Sequence, residues 1–289
     1  MGVEIQRKIN DENVITVAVA PVIVGLQRSA LVDHVARVDL SLLSRIPGEP
    51  GGSFHVAIDE LNFILNEIHT HNDVSPKNVS PLKTIESGSV DNTTRGLAGG
   101  FGISCGIIGA CGDDDQGSLF IDNMGFYKVD LSRLRLKNGP TTQCVCLVDE
   151  LGNRTMWPCL SSAVKVHASD LATVDLRGSK WLMLRYAIFN IEVIQAAIKI
   201  VKQEGLYVSL DLASFEMVRK FRPSILQLLE SGSVDICFAN EDEAVVLLTG
   251  DNKADPESAL EFLGKHYEWA VVTLRLRGMY SKTRKFCQF

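Results

Sequence analysis

The chain has 289 residues, 46% hydrophobic and 22% charged, with a net charge of -6. This composition is that of a globular protein with a large core, and the acidic balance argues against non-specific binding to nucleic acid or anionic membranes, which needs a basic surface. The longest apolar stretch, residues 14–26, is shorter than a membrane span and contains Pro21, so it predicts a core strand. Seven cysteines without a C-x-x-C pair indicate small core side chains in a reducing cytoplasm.

The first half of the chain mixes helix and strand patterns. Leu61, Ile64, Leu65 and Ile68 recur at helical spacing and predict an amphipathic helix over residues 56–68. Residues 141–160, TTQCVCLVDELGNRTMWPCL, alternate as strands do on either side of turn residues around Gly152, which predicts a β-hairpin. Because such a hairpin has no obvious place in a parallel sheet, we expect it to form a flap.

From about residue 180 strand and helix patterns alternate regularly. The strand patterns are KWLMLRYA, LYVSLDL, VDICFAN and AVVTL, and we expect AVVTL to be the last strand, with a turn at Gly278. The helix patterns between them are IEVIQAAIKIVKQ, PSILQLLES, EDEAVVLL and PESALEFLGKH. This alternation predicts right-handed βαβ units and a parallel sheet covered on both faces.

Common nucleotide-binding signatures are missing from the sequence. No G-x-G-x-x-G follows the first strand, and no G-x-x-x-x-G-K-[ST] occurs, so a dehydrogenase and a P-loop NTPase both lose support. Another glycine motif, Ser87-Gly88-Ser89, precedes a helix start, with Asn92 in its first turns. It is either a helix cap with a close-packed glycine, or a cradle that binds a ligand through backbone N–H groups and the Asn92 amide.

Two acidic stretches follow predicted strands. Residues 107–117, IIGACGDDDQG, form either a ligand site at the carboxyl edge of the sheet or, more simply, an acidic turn with a capping aspartate. In FANEDEAVVLL, Asn240 and Glu243 are one helical turn apart. These residues either pair with the helix dipole or hold a hydrated Mg²⁺ and a phosphate through their oxygens.

Seven stretches, taken in chain order, carry a resemblance to a known family: GLQRSALVDHVARVD, SGSVDNTTRGL, IIGACGDDDQG, LVDELGNRTM, SLDLASFEMVR, FANEDEA and VVTL. They resemble the ribokinase-like, or pfkB, family of carbohydrate and nucleoside kinases, and in particular its plant adenosine-kinase-like members. The resemblance covers residues 14–278. It implies an α/β fold: a three-layer, Rossmann-like parallel sheet with a small β-lid. One domain would span residues 14–289, with lid elements near residues 27–45 and 141–160, after a tail of residues 1–13.

The resemblance also implies a kinase that uses ATP and Mg²⁺ to phosphorylate a hydroxyl of a sugar or nucleoside, in the cytoplasm, and a homodimer formed through the lid. Gly112, Asp114 and Gly117 match the family's G-x-D-x-x-G turn. The resemblance implies that the substrate is bound by Asp33, Gly88 and Asn92. It implies that the nucleotide and its phosphates are bound by Asn240, Thr273 and Gly278, and that Glu243 holds Mg²⁺ through water.

The sequence departs from the family pattern at several points. Ser87 stands where the family has a hinge glycine, and its side chain restricts the backbone dihedral angles. Asp91 stands where a small residue is common, and its carboxylate would repel a phosphorylated product. Arg275 replaces a glycine of the ATP-binding strand. The motif D-T-x-G-A-G-D, which supplies the family's anion hole and general base, does not occur. No catalytic residue is therefore assigned, and we expect a fold that lacks its C-terminal part and transfers phosphate weakly or not at all. The alternative is a non-catalytic protein that binds a ligand or a partner.

Overall fold

The computed structural model describes residues 9–10, 13–14, 20–74, 80–185, 191–212, 214–249, 255–274 and 278–283. The strands are β1 (Ile9–Asn10), β2 (Asn13–Val14), β3 (Ile23–Leu26), β4 (Leu31–Arg37), β5 (Lys83–Ser87), β6 (Cys105–Gly112), β7 (Leu134–Lys137), β8 (Thr142–Val148), β9 (Arg154–Cys159), β10 (Trp181–Arg185), β11 (Tyr207–Asp211), β12 (Ile236–Asn240), β13 (Trp269–Thr273) and β14 (Met279–Thr283). The helices are α1 (Leu40–Leu43), α2 (Ile58–Val74), α3 (Ser89–Phe101), α4 (Asp115–Phe126), α5 (Ile191–Gln203), α6 (Phe215–Glu230), α7 (Glu241–Thr249) and α8 (Pro256–His266).

The main sheet has eight strands in the order β14-β13-β12-β11-β10-β3-β6-β7. Neighbouring strands in this order are parallel from β13 to β7, and β14 runs antiparallel to β13. The parallel strands of this sheet are β3, β6, β7, β10, β11, β12 and β13. Because they all point the same way, their carboxyl ends meet at one edge of the sheet, where open α/β sheets bind ligands. The predicted parallel α/β sheet is confirmed.

Strand β6 shows that helices cover both faces of this sheet. All eight of its residues are buried. Ile107 and Cys111 pack in one apolar cluster with Phe120 of α4, whereas Ile108 and Ala110 pack in another that contains buried residues of α5, α6, α7 and α8. Since successive side chains of a strand point to opposite faces, the sheet lies between two layers of helices.

A second sheet has four strands in the order β5-β4-β8-β9. Strands β8 and β9 pair antiparallel around a turn in which Gly152 has φ +85°, so the predicted hairpin and its position outside the main sheet are confirmed. One face of this sheet packs on α2, and Leu61, Ile64 and Ile68 bury there against Trp157, as the helical spacing predicts.

The structure differs from the sequence-based expectations at two elements. AVVTL is not the last strand, because β14 follows it and pairs along the whole of β13. The helix expected at PSILQLLES begins earlier, at Phe215, because Ser214 caps it and non-helical dihedral angles at Phe221 absorb the break before Pro223. The predicted strand at residues 14–26 is described only in part, as Val14 in β2 and as residues 20–26, which include β3; residues 15–19 lie outside the described residues.

The described cysteines are free thiols, and most of them are buried. Burial raises the pKa of the Cys105 and Cys111 thiols to about 11, so both are protonated at neutral pH. None of the helices in the described ranges is long and apolar enough to cross a membrane.

Candidate active site

Polar side chains end four neighbouring strands at the carboxyl edge of the main sheet. Asn240 of β12 stands in register with Thr273 of β13. Arg185 of β10 stands in register with Asp211 of β11, and its guanidinium lies 3.6 Å from the Asp211 carboxylate. The sheet thus brings Asn240 and Thr273 together and adds an ion pair that the sequence interpretation missed. The missed signal is a charged residue at the end of each of two consecutive predicted strands.

Asn240 and Glu243 bind each other across the first turn of α7. The Glu243 carboxylate accepts from the Asn240 backbone N–H at 2.8 Å and from its side-chain Nδ2 at 2.9 Å, while the Glu243 N–H donates to Asn240 Oδ1 at 2.9 Å. This reciprocal arrangement is a capping box, which satisfies the free N–H groups at a helix start. The two residues are therefore in contact, and they also stabilise the start of α7.

The Glu243 carboxyl group lies in a buried site with excess negative charge. Only 4% of the residue is exposed, and burial raises its pKa from 4.5 to about 7. The Asn240 backbone N–H and Arg185 oppose this rise, whereas Asp211 and Asp242 add to it. A cation placed beside Glu243 would offset both the desolvation and the repulsion.

Thr273 and Gly278 flank the turn between β13 and β14. Thr273 is exposed at the end of its strand, and the Leu274 N–H donates to the Gly278 carbonyl at 2.7 Å. Gly278 has φ +94°, a conformation that favours glycine. The predicted turn at Gly278 is confirmed, whereas Arg275 lies outside the described residues.

Asp33 and Ser87 meet in the second sheet. The Ser87 hydroxyl donates to Asp33 Oδ2 at 2.5 Å, between strands β5 and β4. Burial raises the pKa of Asp33, although Ser87, His34 and Arg154 all act to lower it. Gly88 follows directly as the N-cap of α3, with φ +115°, which requires glycine. Asp33, Ser87 and Gly88 are therefore adjacent in space, and the substrate-binding role of Asp33 and Gly88 stays a prediction.

Asn92 reaches this group only through the backbone. Its N–H donates to the Gly88 carbonyl at 2.8 Å, but its side chain is exposed and its Oδ1 accepts from Arg95 at 3.1 Å. Arg95 also pairs with Glu86, which accepts from Asn123 at 2.7 Å. The assignment of the Asn92 side chain to substrate stays a prediction, and its Nδ2 is the atom that could donate.

Asp114 serves as a helix cap. Its Oδ1 accepts from the Gly117 N–H at 2.8 Å and from the Thr141 hydroxyl at 2.5 Å, and its Oδ2 accepts from the Thr141 N–H at 2.8 Å. With both oxygens engaged, Asp114 fixes the start of α4 to the chain entering β8. Of the two interpretations of this stretch, the structure favours the capping aspartate.

Asp91 does not behave as its place in the sequence suggests. The residue is completely buried, and burial raises its pKa well above 3.8, with only Arg95 acting in the other direction. Because burial disfavours the charged form of Asp91, the carboxyl group would repel a phosphorylated product less than an exposed carboxylate would. Neither carboxyl oxygen has a hydrogen-bond partner among the residues that the structure describes.

A parallel sheet with polar side chains at its carboxyl edge, joined to a small second sheet, defines an α/β fold suited to binding small ligands. The model of the pfkB family carbohydrate kinases matches residues 54–289, and the chain belongs to this family. A comparison with curated proteins finds no match.

Solved kinase structures share the fold. An adenosine kinase from Sinorhizobium meliloti is 24% identical, with 92% of this chain and 78% of that chain covered and a TM-score of 0.77. A probable sugar kinase protein from Rhizobium etli is 21% identical, with 91% and 77% covered and a TM-score of 0.75. An adenosine kinase from Schistosoma mansoni in complex with tubercidin is 13% identical, with 94% and 81% covered and a TM-score of 0.70.

Proposed function

We propose that the chain contains a pfkB-type kinase site, which binds Mg·ATP and phosphorylates a hydroxyl group of a sugar or nucleoside. The observation that carries the proposal is the buried Asn240–Glu243 pair at the carboxyl edge of the sheet, beside Thr273. Family membership over residues 54–289 supports the reaction class, and the adenosine and sugar kinases of similar fold support the class of acceptor.

The residues at this edge fit a hydrated magnesium ion. The described residues contain no group of three His, Cys, Asp or Glu side chains that could hold a metal ion directly. Mg²⁺ commonly keeps several waters and binds one or two carboxylates together with substrate phosphates, so one buried carboxylate with an acidic neighbour is sufficient. Glu243 would hold the ion through water, and Asn240 would orient Glu243. The ion, when bound, would neutralise charge on the phosphates.

The second sheet would supply the acceptor side of the site. Asp33 is partly buried and holds a hydrogen bond from Ser87, so its remaining oxygen can accept from a substrate hydroxyl. Gly88 and the helix start behind it offer backbone N–H groups. We expect the sheet formed by β5, β4, β8 and β9 to act as the lid. We also propose that two copies of the chain form a homodimer through this sheet.

A second candidate function is ligand binding without phosphate transfer. The observation that favours it is the absence of D-T-x-G-A-G-D from the 289 residues, which leaves the general base unassigned. Under this second candidate function, the chain would transfer phosphate weakly or not at all but would keep the affinity for its ligands.

Two assays separate these functions. ADP release is measured from Mg·ATP with adenosine, D-ribose or D-fructose, and calorimetry measures binding of the same compounds. Acceptor-dependent ADP release that is lost in Glu243→Ala would establish the kinase. Binding that is weakened by Asp33→Asn, without ADP release, would establish the binding protein. Absence of both would refute the proposed site.

A further inference from the structure

The polar side chains that end four neighbouring strands lie on one face of the main sheet. Leu184 of β10 packs in the apolar cluster that contains buried residues of α5, α6, α7 and α8. Because successive side chains of a strand point to opposite faces, Arg185 lies on the other face. In β11, β12 and β13 the residue before the last one is buried in the same cluster, so the last residues, Asp211, Asn240 and Thr273, lie on the face of Arg185.

Helix α3 lies on this same face. A Cβ atom at Gly25 of β3 would meet the side chains of Val90 in α3 and Met183 in β10. Met183 is two residues before Arg185, so both side chains point to this face. Arg185 and the start of α3, at Gly88, are therefore on the same side of the sheet.

Along the sheet edge, Arg185 lies between the residues proposed for the nucleotide and those proposed for the acceptor. Strand β10 separates β11, β12 and β13 from β3. Asn240 and Thr273 end β12 and β13 on one side of it. On the other side, Gln27 follows β3, and its Nε2 would lie 2.9 Å from a Cβ atom at Gly88. A phosphoryl group that moves from the nucleotide to the acceptor therefore passes the ends of β11 and β10.

The side chain of Arg185 is accessible to solvent. The side chains of Arg185 and Asp211 are 32% and 37% exposed, and Nε of the arginine lies 3.6 Å from Oδ2 of the aspartate, beyond hydrogen-bond distance. An ion pair with this exposure contributes little to stability, so an anionic ligand can compete with it. The contact is made through Nε, and the two terminal nitrogens form a second edge whose N–H groups match two phosphate oxygens.

The charges at this edge call for a positive group wherever a phosphate binds. Burial raises the pKa of Glu243, Asp211 and Asp242 add to the rise, and Arg185 opposes it, so these groups are close enough to act on one another. The carboxylates would repel a phosphate. Mg²⁺ at Glu243 would offset this repulsion near β12, and Arg185 offsets it two strands away, on the side of the acceptor.

We propose that Arg185 is a phosphate-binding residue whose guanidinium binds two oxygens of the terminal phosphate of ATP, the group that a kinase transfers. The inference rests on the proposed function, because it assumes ATP beside Asn240 and Thr273 and an acceptor beside Asp33. The resemblance assigns no role to Arg185. The sequence also lacks D-T-x-G-A-G-D, which supplies the family's anion hole, so Arg185 gives this chain a separate contact for the same phosphate.

The test compares ATP with ADP, because ADP lacks the terminal phosphate. Calorimetry measures the affinity of the full chain for each nucleotide in the presence of MgCl₂ and without an acceptor. The variants are Arg185→Gln, which removes the charge, and Arg185→Lys, which keeps the charge but loses the two-pronged guanidinium. Arg177→Gln is the matched control, since Arg177 is exposed and precedes β10, at the opposite edge of the sheet. Thermal unfolding checks that each variant folds.

The expected result is a loss of affinity that is confined to ATP. The wild type should bind ATP about tenfold more tightly than ADP, as hydrogen bonds from a charged group to one phosphate predict. Arg185→Gln should bind ATP about tenfold more weakly than the wild type does and ADP with nearly unchanged affinity. Arg185→Lys should lose about threefold in ATP affinity, because an ammonium group does not hold two oxygens in a fixed geometry. Arg177→Gln should match the wild type.

Distinct outcomes overturn the inference and the proposed function. If Arg185→Gln keeps the wild-type ratio of ATP affinity to ADP affinity, the inference is overturned and the proposed function stands. A wild type that binds ATP and ADP equally well has the same consequence. If Arg185→Gln does not fold, Arg185→Lys decides, because a ratio equal to that of the wild type overturns the two-point contact. A wild type that binds neither nucleotide overturns both the inference and the proposed function.

Discussion

The buried charge of Glu243 predicts how the stability of the protein depends on pH. Its pKa is about 7 in the folded protein, against an ordinary value of 4.5. The folded state therefore binds the proton more tightly than the unfolded state does. The stability from this protonation is fully present below pH 4.5 and is lost as the pH rises through 7. The metal-free protein should become less stable towards alkaline pH through this group.

The size of the effect follows from the shift. Raising the pKa from 4.5 to about 7 corresponds to about 3 kcal/mol, most of which is lost between pH 5 and pH 8. Glu243→Gln removes this titration. The glutamine has one acceptor oxygen for the two donors that Asn240 presents, so it loses about 1–3 kcal/mol at every pH. The variant should be less stable than the wild type at pH 5 and close to it, or more stable, at pH 8.

Urea unfolding, followed by tryptophan fluorescence from pH 4.5 to 8.5 in the presence of EDTA, measures this difference. We expect the difference in unfolding free energy between Glu243→Gln and the wild type to shift by about 2–3 kcal/mol in favour of the variant between pH 5 and pH 8. Glu230→Gln, at an exposed glutamate at the end of α6, is the matched control and should follow the wild type. Parallel profiles for Glu243→Gln and the wild type would refute the argument from burial.

Three further substitutions test the packing around the site. Asp114→Ala should lower the unfolding free energy by about 3 kcal/mol in urea, because Gly117 and Thr141 lose a charged acceptor; a loss below about 1 kcal/mol would contradict this. Gly88→Ala should cost about 2–4 kcal/mol in thermal unfolding, because φ is +115° and the new Cβ meets Asp91, and an unchanged Tm would show that the helix start adapts. Trp157→Phe should cost about 2–4 kcal/mol in urea unfolding, because it leaves a cavity in the core and removes the 2.8 Å hydrogen bond to the Pro47 carbonyl; a stability equal to that of the wild type would contradict both contributions.

Local patterns predicted the elements whose stability depends on one buried face. The spacing of Leu61, Ile64 and Ile68 predicts α2, because a helix must turn its apolar side to the core. The alternation after Thr142 predicts the hairpin for the corresponding reason in strands. Strand β14 was missed, because it lies at the edge of the sheet and its described residues are exposed or only partly buried, so no buried face marks it in the sequence.

The site residues divide in the same way. Asn240 and Glu243 are three residues apart at a helix start, and this separation alone brings them into contact. Asp33 and Ser87 are far apart in the chain and meet only because β4 pairs with β5. Arg185 and Asp211 likewise meet through the pairing of β10 with β11. Partners of this kind depend on strand order, which local sequence does not specify.

By itself, the sequence determined the class of the fold, through alternating strands and helices, and the contact between Asn240 and Glu243, through their spacing. Both depend on neighbours along the chain. Only the tertiary structure decided that Asp91 is fully buried with no hydrogen-bond partner in the described part of the chain, that Asp114 links α4 to β8, and that the pKa of Glu243 is about 7. The physical reason is that burial and electrostatic environment arise from residues brought together across the whole chain, so the same aspartate or glutamate acquires its properties from packing.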